Sequence, residues 1–320
     1  MARLLIALAT GLLIALPAAA GDAAPAATAD TFREAPRIAD VRRAPILAAT
    51  RAGKRIVAVG DYGIVILSDD ARTFRQARTV PTRTMLTSVY FLDKYHGWAA
   101  GHDGTVIATS DGGETWQVLC EERGTERALL SIWFENDLHG IAVGQFGLVL
   151  ETTNGGAAWR ERHLAESGEA GDRHLYQIFS GGNGLLLVAA EGGGVFRSED
   201  SGRTWSLIQT TNKGSFWTGA RMTDGTLLVA GMRGHVFRSQ DNGRTWAEVE
   251  SGTQQSLTAI VEHADGSPLL VGMSGVMLAR GNKSLSFVPT VRPDRTNLTA
   301  AIAGDPDDDI VFSLTGVVGK

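Results

Sequence analysis

One cysteine, four tyrosines and seven histidines are all that 320 residues offer to thiol, phenol or imidazole chemistry. A lone thiol, Cys120, forms no internal disulfide, so stability has to come from packing. No histidine is placed to activate that thiol as a nucleophile. The histidines show neither H-x-x-x-H nor H-E-x-x-H spacing, which excludes the helical zinc-hydrolase signature. No metal and no cofactor are expected. An excess of positive charge is also missing: 30 Lys and Arg stand against 35 Asp and Glu, a net charge of −5, which disfavours general nucleic-acid binding. Helical periodicity is scarce, and the one long apolar stretch, Leu4 to Leu16, is short for a membrane span.

What is abundant is glycine, 39 residues, and it recurs in register with an aromatic residue. Phe32, Phe74, Trp116, Trp159, Trp205, Trp246 and Phe287 are separated by 42, 42, 43, 46, 41 and 41 residues. A period in this range marks a repeat protein whose units must stack to bury their apolar faces. Four copies fit S/T-x-D/N-x-G-x-x-W: Thr109 to Trp116, Thr152 to Trp159, Ser198 to Trp205 and Ser239 to Trp246. Asp70, Asp111, Asn154, Asp200 and Asp241 can accept backbone N–H groups two or more residues on, the chemistry of a turn, while Gly supplies a positive φ. Most units also carry a small residue, two variable residues and Gly, as in Gly60-Asp-Tyr-Gly63 and Gly144-Gln-Phe-Gly147, with Ser313-Leu-Thr-Gly316 as the seventh copy. Short apolar runs flank each one, and runs punctuated by Gly read as strands joined by tight turns.

Four strands in 41–46 residues make one propeller blade. The expected fold is all-β: a seven-bladed β-propeller of four-stranded antiparallel blades. The blades should fall near 43–79, 84–120, 127–163, 174–209, 215–250, 256–290 and 297–318. Residues 30–35 should supply the last strand of the seventh blade, because Thr31-Phe32-Arg33 copies Thr73-Phe74-Arg75 and closure removes an open edge. The N-terminus reads as a signal peptide over residues 1–20, with a positive start, an apolar core and small residues at Ala18-Ala-Ala20. A disordered leader over 21–29 follows. The expected location is the periplasm, or the thylakoid lumen in a photosynthetic host.

The runs His96-Gly-Trp98-Ala-Ala-Gly101 and His139-Gly-Ile-Ala-Val-Gly144 are each followed by a Gly-x-Val element and then the aspartate turn with its Trp. These runs resemble the photosystem II stability and assembly factor propellers, which share the Asp-box or BNR repeats of sialidases. The resemblance covers roughly residues 30–320 and is strongest across 85–160. It implies a non-enzymatic assembly factor that binds membrane-protein subunits through an arginine-rich surface. In a non-photosynthetic host it implies an accessory to a transporter or other exported proteins. A monomer is expected.

Function should lie on the face built by the G-x-x-G turns and the inter-blade links, because rigidly held loops carry binding. Arg233 from a turn, with Arg78, Arg83, Arg123, Arg127, Arg292 and Arg295 from the links, are the candidate partner-binding residues, since guanidinium groups recur in binding hot spots. The Asp boxes, with Trp116, Trp159, Trp205 and Trp246, read as structural, and a calcium site would need more oxygen ligands than one turn supplies. The alternative is a sialidase-like or other glycoside hydrolase, or a carbohydrate-binding propeller. It would need paired carboxylates about 5–10 Å apart, for which Asp61, Asp103 and Glu191 are the candidates, with Tyr62 the one tyrosine on that face. Phe32-Arg33-Glu34-Ala35-Pro36 is one residue too long for the sialidase F/Y-R-x-P element.

Overall fold

The computed structural model describes residues 34–319 apart from 166–167, 169, 281–285 and 305–307. The leader, Thr31 to Arg33 and parts of three loops lie outside the described residues. Seven antiparallel sheets follow one another along the chain, each with its strands in sequence order.

The first blade holds β1 (Ile46–Ala52), β2 (Arg55–Gly60), β3 (Val65–Ser68) and β4 (Arg75–Gln76). The second holds β5 (Leu86–Phe91), β6 (Gly97–Gly101), β7 (Val106–Thr109) and β8 (Gln117–Cys120). The third holds β9 (Leu129–Phe134), β10 (Gly140–Gly144), β11 (Val149–Thr152) and β12 (Arg160–Arg162). The fourth holds β13 (Leu175–Gly182), β14 (Leu185–Ala190), β15 (Gly194–Ser198) and β16 (Ser206–Gln209). The fifth holds β17 (Phe216–Arg221), β18 (Leu227–Gly231), β19 (Val236–Ser239) and β20 (Ala247–Val249). The sixth holds β21 (Leu257–Glu262), β22 (Pro268–Gly272), β23 (Val276–Arg280) and β24 (Phe287–Val291). The seventh holds β25 (Ala300–Ile302), β26 (Ile310–Ser313) and β27 (Gly316–Val318).

The second strand of each blade is buried almost throughout, as in Gly97–Gly101, Gly140–Gly144 and Leu227–Gly231. This is why these strands read as continuous apolar runs: both faces are covered. Alternate residues serve different neighbours. Ile56 and Ala58 pack towards the seventh blade, whereas Val57 and Val59 pack towards the second. The apolar core is accordingly divided into clusters, one at each of the seven blade joints.

The ring closes by the device that joins internal blades. Thr87 Oγ1 donates to the Leu129 carbonyl at 2.6 Å, and Thr258 Oγ1 to the Leu298 carbonyl at 2.8 Å. Thr299 Oγ1 donates likewise to the Ile46 carbonyl at 2.7 Å, tying blade seven to blade one.

Two details of that closing blade depart from expectation among the described residues. The seventh sheet has three strands there; Thr31 to Arg33, the centre of the expected fourth strand, lie outside the described residues, while Glu34 and Ala35 lie elsewhere. The Ala35 N–H donates to the Val80 carbonyl at 2.9 Å, and Arg83 Nε donates to the Glu34 carbonyl at 2.8 Å. Arg37 bonds the Ala77 carbonyl, and Gln76 Oε1 accepts from the Ile38 N–H. Residues 34–38 therefore line the outer strand and link of blade one, held by one backbone bond and several side chain-to-backbone bonds that leave no periodic trace. The seventh G-x-x-G copy also differs: Ser313 pairs directly with Gly316, so the turn is a two-residue hairpin.

The remaining turns depend on their last glycine. Gly63 has φ +68°, and a Cβ there would sit 2.1 Å from the Thr82 carbonyl oxygen. Gly124 has φ +70° with nothing near a Cβ. Gly63→Ala should therefore cost about 2–4 kcal/mol in urea denaturation, combining strain with a backbone clash. Gly124→Ala carries only the conformational term of about 1 kcal/mol. Equal losses in the two variants would refute the close-approach argument.

Candidate functional site

The two faces of the ring are built differently. On one, the Asp-box turns touch the turns between strands one and two of their own blades. The Gly112 N–H donates to the Tyr95 carbonyl and the Gly155 N–H to the Leu138 carbonyl, both at 2.9 Å. On the other, the G-x-x-G turns touch the inter-blade links, as in the Gly104 N–H to Arg127 carbonyl and Gly147 N–H to Arg173 carbonyl bonds.

The Asp boxes of blades two, four and five are saturated knots. Asp111 Oδ1 accepts from the Thr109 hydroxyl and the Thr115 N–H, while Oδ2 accepts the Thr115 hydroxyl at 2.6 Å. Trp116 Nε1 closes the turn on the Gly113 carbonyl at 3.0 Å. Asp200 with Trp205, and Asp241 with Trp246, repeat the pattern. Burial raises the Asp200 carboxyl. The N–H and hydroxyl of Thr204 and the Ser198 hydroxyl outweigh it and hold the group at about 2. Asp241 is also held at about 2, burial being outweighed by the hydroxyl and N–H of Thr245 and the Ser239 hydroxyl. Hydrogen bonds from the Thr73 and Arg72 N–H groups hold Asp70 well below the usual range. In blade three Asn154 replaces the carboxylate and Ala158 the second hydroxyl, so the side chain accepts from the Ala158 N–H alone on that side. The buried Trp159 Nε1 there has no partner among the described residues.

Sequence reasoning missed how these turns lock to the preceding blade. Arg55 reaches Glu114 and the Gly112 carbonyl. Arg162 reaches the Arg203 carbonyl at 2.9 Å, and the buried Arg197 reaches the Asn242 carbonyl at 2.6 Å. Each arginine of one blade caps the Asp box of the next. These arginines sit on different strands, so no fixed spacing announces them.

On the opposite face, the third residue of each G-x-x-G copy adopts a left-handed conformation, from Tyr62 (φ 56°) and Asp103 (φ 52°) to Phe146 (φ 51°), Arg233 (φ 57°) and Ser274 (φ 56°). That conformation pushes the side chain outward. Tyr62 is 57% and Phe146 72% exposed, although both are large and apolar. Phe146 packs edge-on against His174 at 4.6 Å, and its N–H donates to His174 Nδ1.

The seven candidate arginines do not form one set. Arg233 and Arg295 are exposed with no side-chain bond among the described residues. Among the described residues Arg83 reaches only the Glu34 carbonyl. Arg123 pairs with Glu121, and Arg127 with Glu122 and Glu161. Arg292 is turned onto Asp294 and the Gly319 carbonyl. Arg78 stands apart, beside the Asp box of blade two, with its guanidinium 3.9 Å from the Asp111 carboxylate. Between blades four and five the face holds a cavity of about 490 Å³ lined by Glu191, Asn212, Lys213, Met232, Arg233 and Phe237 among others.

Two of the three candidate carboxylates hold backbone N–H groups. Glu191 accepts the His174 N–H, and Asp61 the Tyr62 N–H. Every resolved carboxyl shift among the described residues is downward, whereas a glycosidase acid is raised. Burial pushes Tyr90 and Tyr176 up, the reverse of what a phenolate nucleophile needs.

The family described as photosynthesis system II assembly factor YCF48 matches residues 66–271. The chain belongs to that family. The photosystem II assembly protein Ycf48 of Thermosynechococcus vestitus is 38% identical over 42 residues, which is 13% of this chain and 12% of that protein. Among solved structures, YCF48 bound to D1 peptide superposes with a TM-score of 0.68 at 17% identity, covering 86% of this chain and 92% of the other. YCF48 from Cyanidioschyzon merolae gives 0.63 at 13%, covering 89% and 96%. A streptogramin B lyase gives 0.71 at 12%, covering 88% and 93%. At these identities the superpositions establish the shared propeller and nothing narrower.

The YCF48-family Asp boxes make a pH prediction. Asp200 and Asp241 have folded values of about 2, below the unfolded carboxyl at about 3.9. Their stabilisation is therefore complete above the unfolded value and is lost as pH falls from about 4 towards 2. Urea midpoints should drop across that window. The double variant Asp200→Asn and Asp241→Asn should start less stable and show a shallower drop; an unchanged slope would contradict the assignment.

Proposed function

We propose that the chain is an exported, non-catalytic scaffold that holds an extramembrane segment of a membrane-protein subunit during assembly of its complex. The G-x-x-G face is its binding surface. The observation that carries this reading is the set of left-handed turns. A rigid ring presents exposed Tyr62 and Phe146 together with the guanidinium of Arg233, which has no partner among the described residues. Aromatic and arginine side chains on a rigid support are what binding hot spots are made of. A family relative has been solved with a D1 peptide, which supports a photosystem II subunit as the partner in a photosynthetic host. In another host the same surface would serve an exported or transporter-associated protein. The charged, apolar and small-residue pattern of residues 1–20 supports export to the periplasm or its lumenal counterpart.

Retention tests the proposal. The mature chain should hold an immobilised D1-derived peptide or a detergent-solubilised subunit. Charge reversal at Arg83, Arg123 and Arg295 together with Phe146→Ala should weaken retention at least about tenfold, the loss of one or more hot-spot contacts. Charge reversal at Arg78, on the Asp-box side, should leave retention unchanged. Full retention by the multiple variant would reject this face. Turnover of a fluorogenic sialoside, abolished by Asp103→Asn, would reject the non-catalytic reading.

A further inference from the structure

The third strand of blade seven, β27, is the edge of its sheet among the described residues. Ser313 pairs with Gly316 and Val311 with Val318, and Val317 lies between. In a two-residue hairpin the flanking pair and every second pair after it exchange hydrogen bonds. Val317 therefore turns its N–H and C=O outward. Val65 holds the same place in blade one, and its carbonyl accepts the Ala77 N–H at the end of the outer strand at 2.9 Å. Val317 makes no such bond among the described residues.

Two surfaces flank this edge. Towards blade one lies a groove of about 410 Å³, lined by Arg42, Arg72, Phe74, Ile310, Val317 and Val318 among others. Towards blade six, Ala279 and Val288 form a cross-strand pair, and both are exposed. In the joint of blades one and two, Leu67 holds the place of Ala279. It is buried there in one cluster with Trp116, the aromatic that leads into the outer strand of blade two. An aromatic side chain leading a fourth strand onto blade seven would cover Ala279 and Val288 in the same way.

The groove also selects charge. In the joint of blades one and two, Arg75 of the outer strand donates to Glu114 in the next Asp box at 2.8 Å. Glu114 stands two residues before its aromatic, and in the Asp box of blade one that place belongs to Arg72. The Arg72 side chain is exposed with no partner among the described residues. Arg42 lies over the Phe74 ring and spends one nitrogen on the Arg72 carbonyl. The carboxylates of the groove are engaged: Asp70 holds the Arg72 and Thr73 N–H groups, Asp309 holds His263 and the Gly304 N–H, and Asp308 is also partnered. The charge left to meet a ligand is positive.

We propose that β27 accepts an extended peptide of another protein as a fourth strand of blade seven. Strand addition of this kind draws affinity from main-chain bonds and selectivity from alternate side chains. The sequence that fits is an aromatic residue, an acidic residue, any residue, and then a residue that keeps its N–H. The aromatic ring covers Ala279 and Val288. The carboxylate meets Arg72 and Arg42. The N–H of the fourth residue donates to the Val317 carbonyl, as that of Ala77 does to Val65. The inference does not rest on the function proposed for the G-x-x-G turns.

The probe is the capped hexapeptide Thr-Trp-Glu-Thr-Val-Thr, titrated into the isotope-labelled mature chain and followed by NMR. The Val317 amide should exchange freely with solvent in the chain alone and become protected with peptide, with shifts at Ala279 and Arg72. Methylating the nitrogen of the peptide Val should weaken binding at least about tenfold, through the lost main-chain bond and the added bulk. Lys in place of the peptide Glu should weaken it about fivefold, and so should Arg72→Glu against the original peptide. Arg72→Glu with the Lys peptide should recover the original affinity, which separates a direct contact from damage to the fold. Absence of shifts at millimolar peptide, a Val317 amide already protected in the chain alone, shifts confined to the G-x-x-G turns, or no recovery in the charge-swapped pair would overturn the site.

Discussion

The second strand of each blade is covered on both faces, and the rest of the architecture follows from that burial. A strand such as Arg55–Gly60 sends alternate side chains into two different blade joints, so no blade has a core of its own. Removing one blade would expose two joints at once. A structure of this kind gains its stability only when the circle is complete. The closing bond from Thr299 to Ile46 therefore repeats the internal bonds of Thr87 and Thr258, and no special clasp is needed.

The Asp boxes build on the same constraint. Each holds its own turn through a carboxylate or amide, and in three joints an arginine from the preceding blade caps the turn. Arg197 can be buried because both of its bonds, to the Asn242 carbonyl and to Glu199, are in place, which is the condition for burying a charge. Groups so fully engaged have little capacity left for a partner. The G-x-x-G turns have the opposite character. Their backbone bonds to the links are satisfied, and the left-handed residue at each tip is free to be Tyr, Asp, Phe, Arg or Ser. Constancy on one face and variety on the other is the physical ground for placing binding on the second.

The repeat and the turn chemistry were legible in the sequence because they rest on local rules. An acidic or amide side chain, a glycine and an aromatic residue at fixed offsets define an Asp box whatever surrounds it. Position across blades was far less legible. Thr31-Phe32-Arg33 copies a strand start, yet the residues next to it are held by Arg83 and Arg37 on blade one, and such bonds have no period. Arg78 looks like its fellow link arginines in sequence, but pairing with the second blade's Asp box draws it to the other side.

The described part of the seventh blade separates closing the ring from sealing its rim. It keeps the inner strand, the second strand and a short third, and its joint with blade one is well filled. Phe312 is fully buried and meets Phe74 edge-on at 6.1 Å. On the other side the cover is thinner. Ala279 in β23 is exposed, whereas Leu67 and Arg197, at the corresponding place in blades one and four, lie beneath the Asp box of the next blade. The described part of blade seven brings no such turn to that position. Inner strands close the circle, and outer strands with their Asp boxes seal its rim.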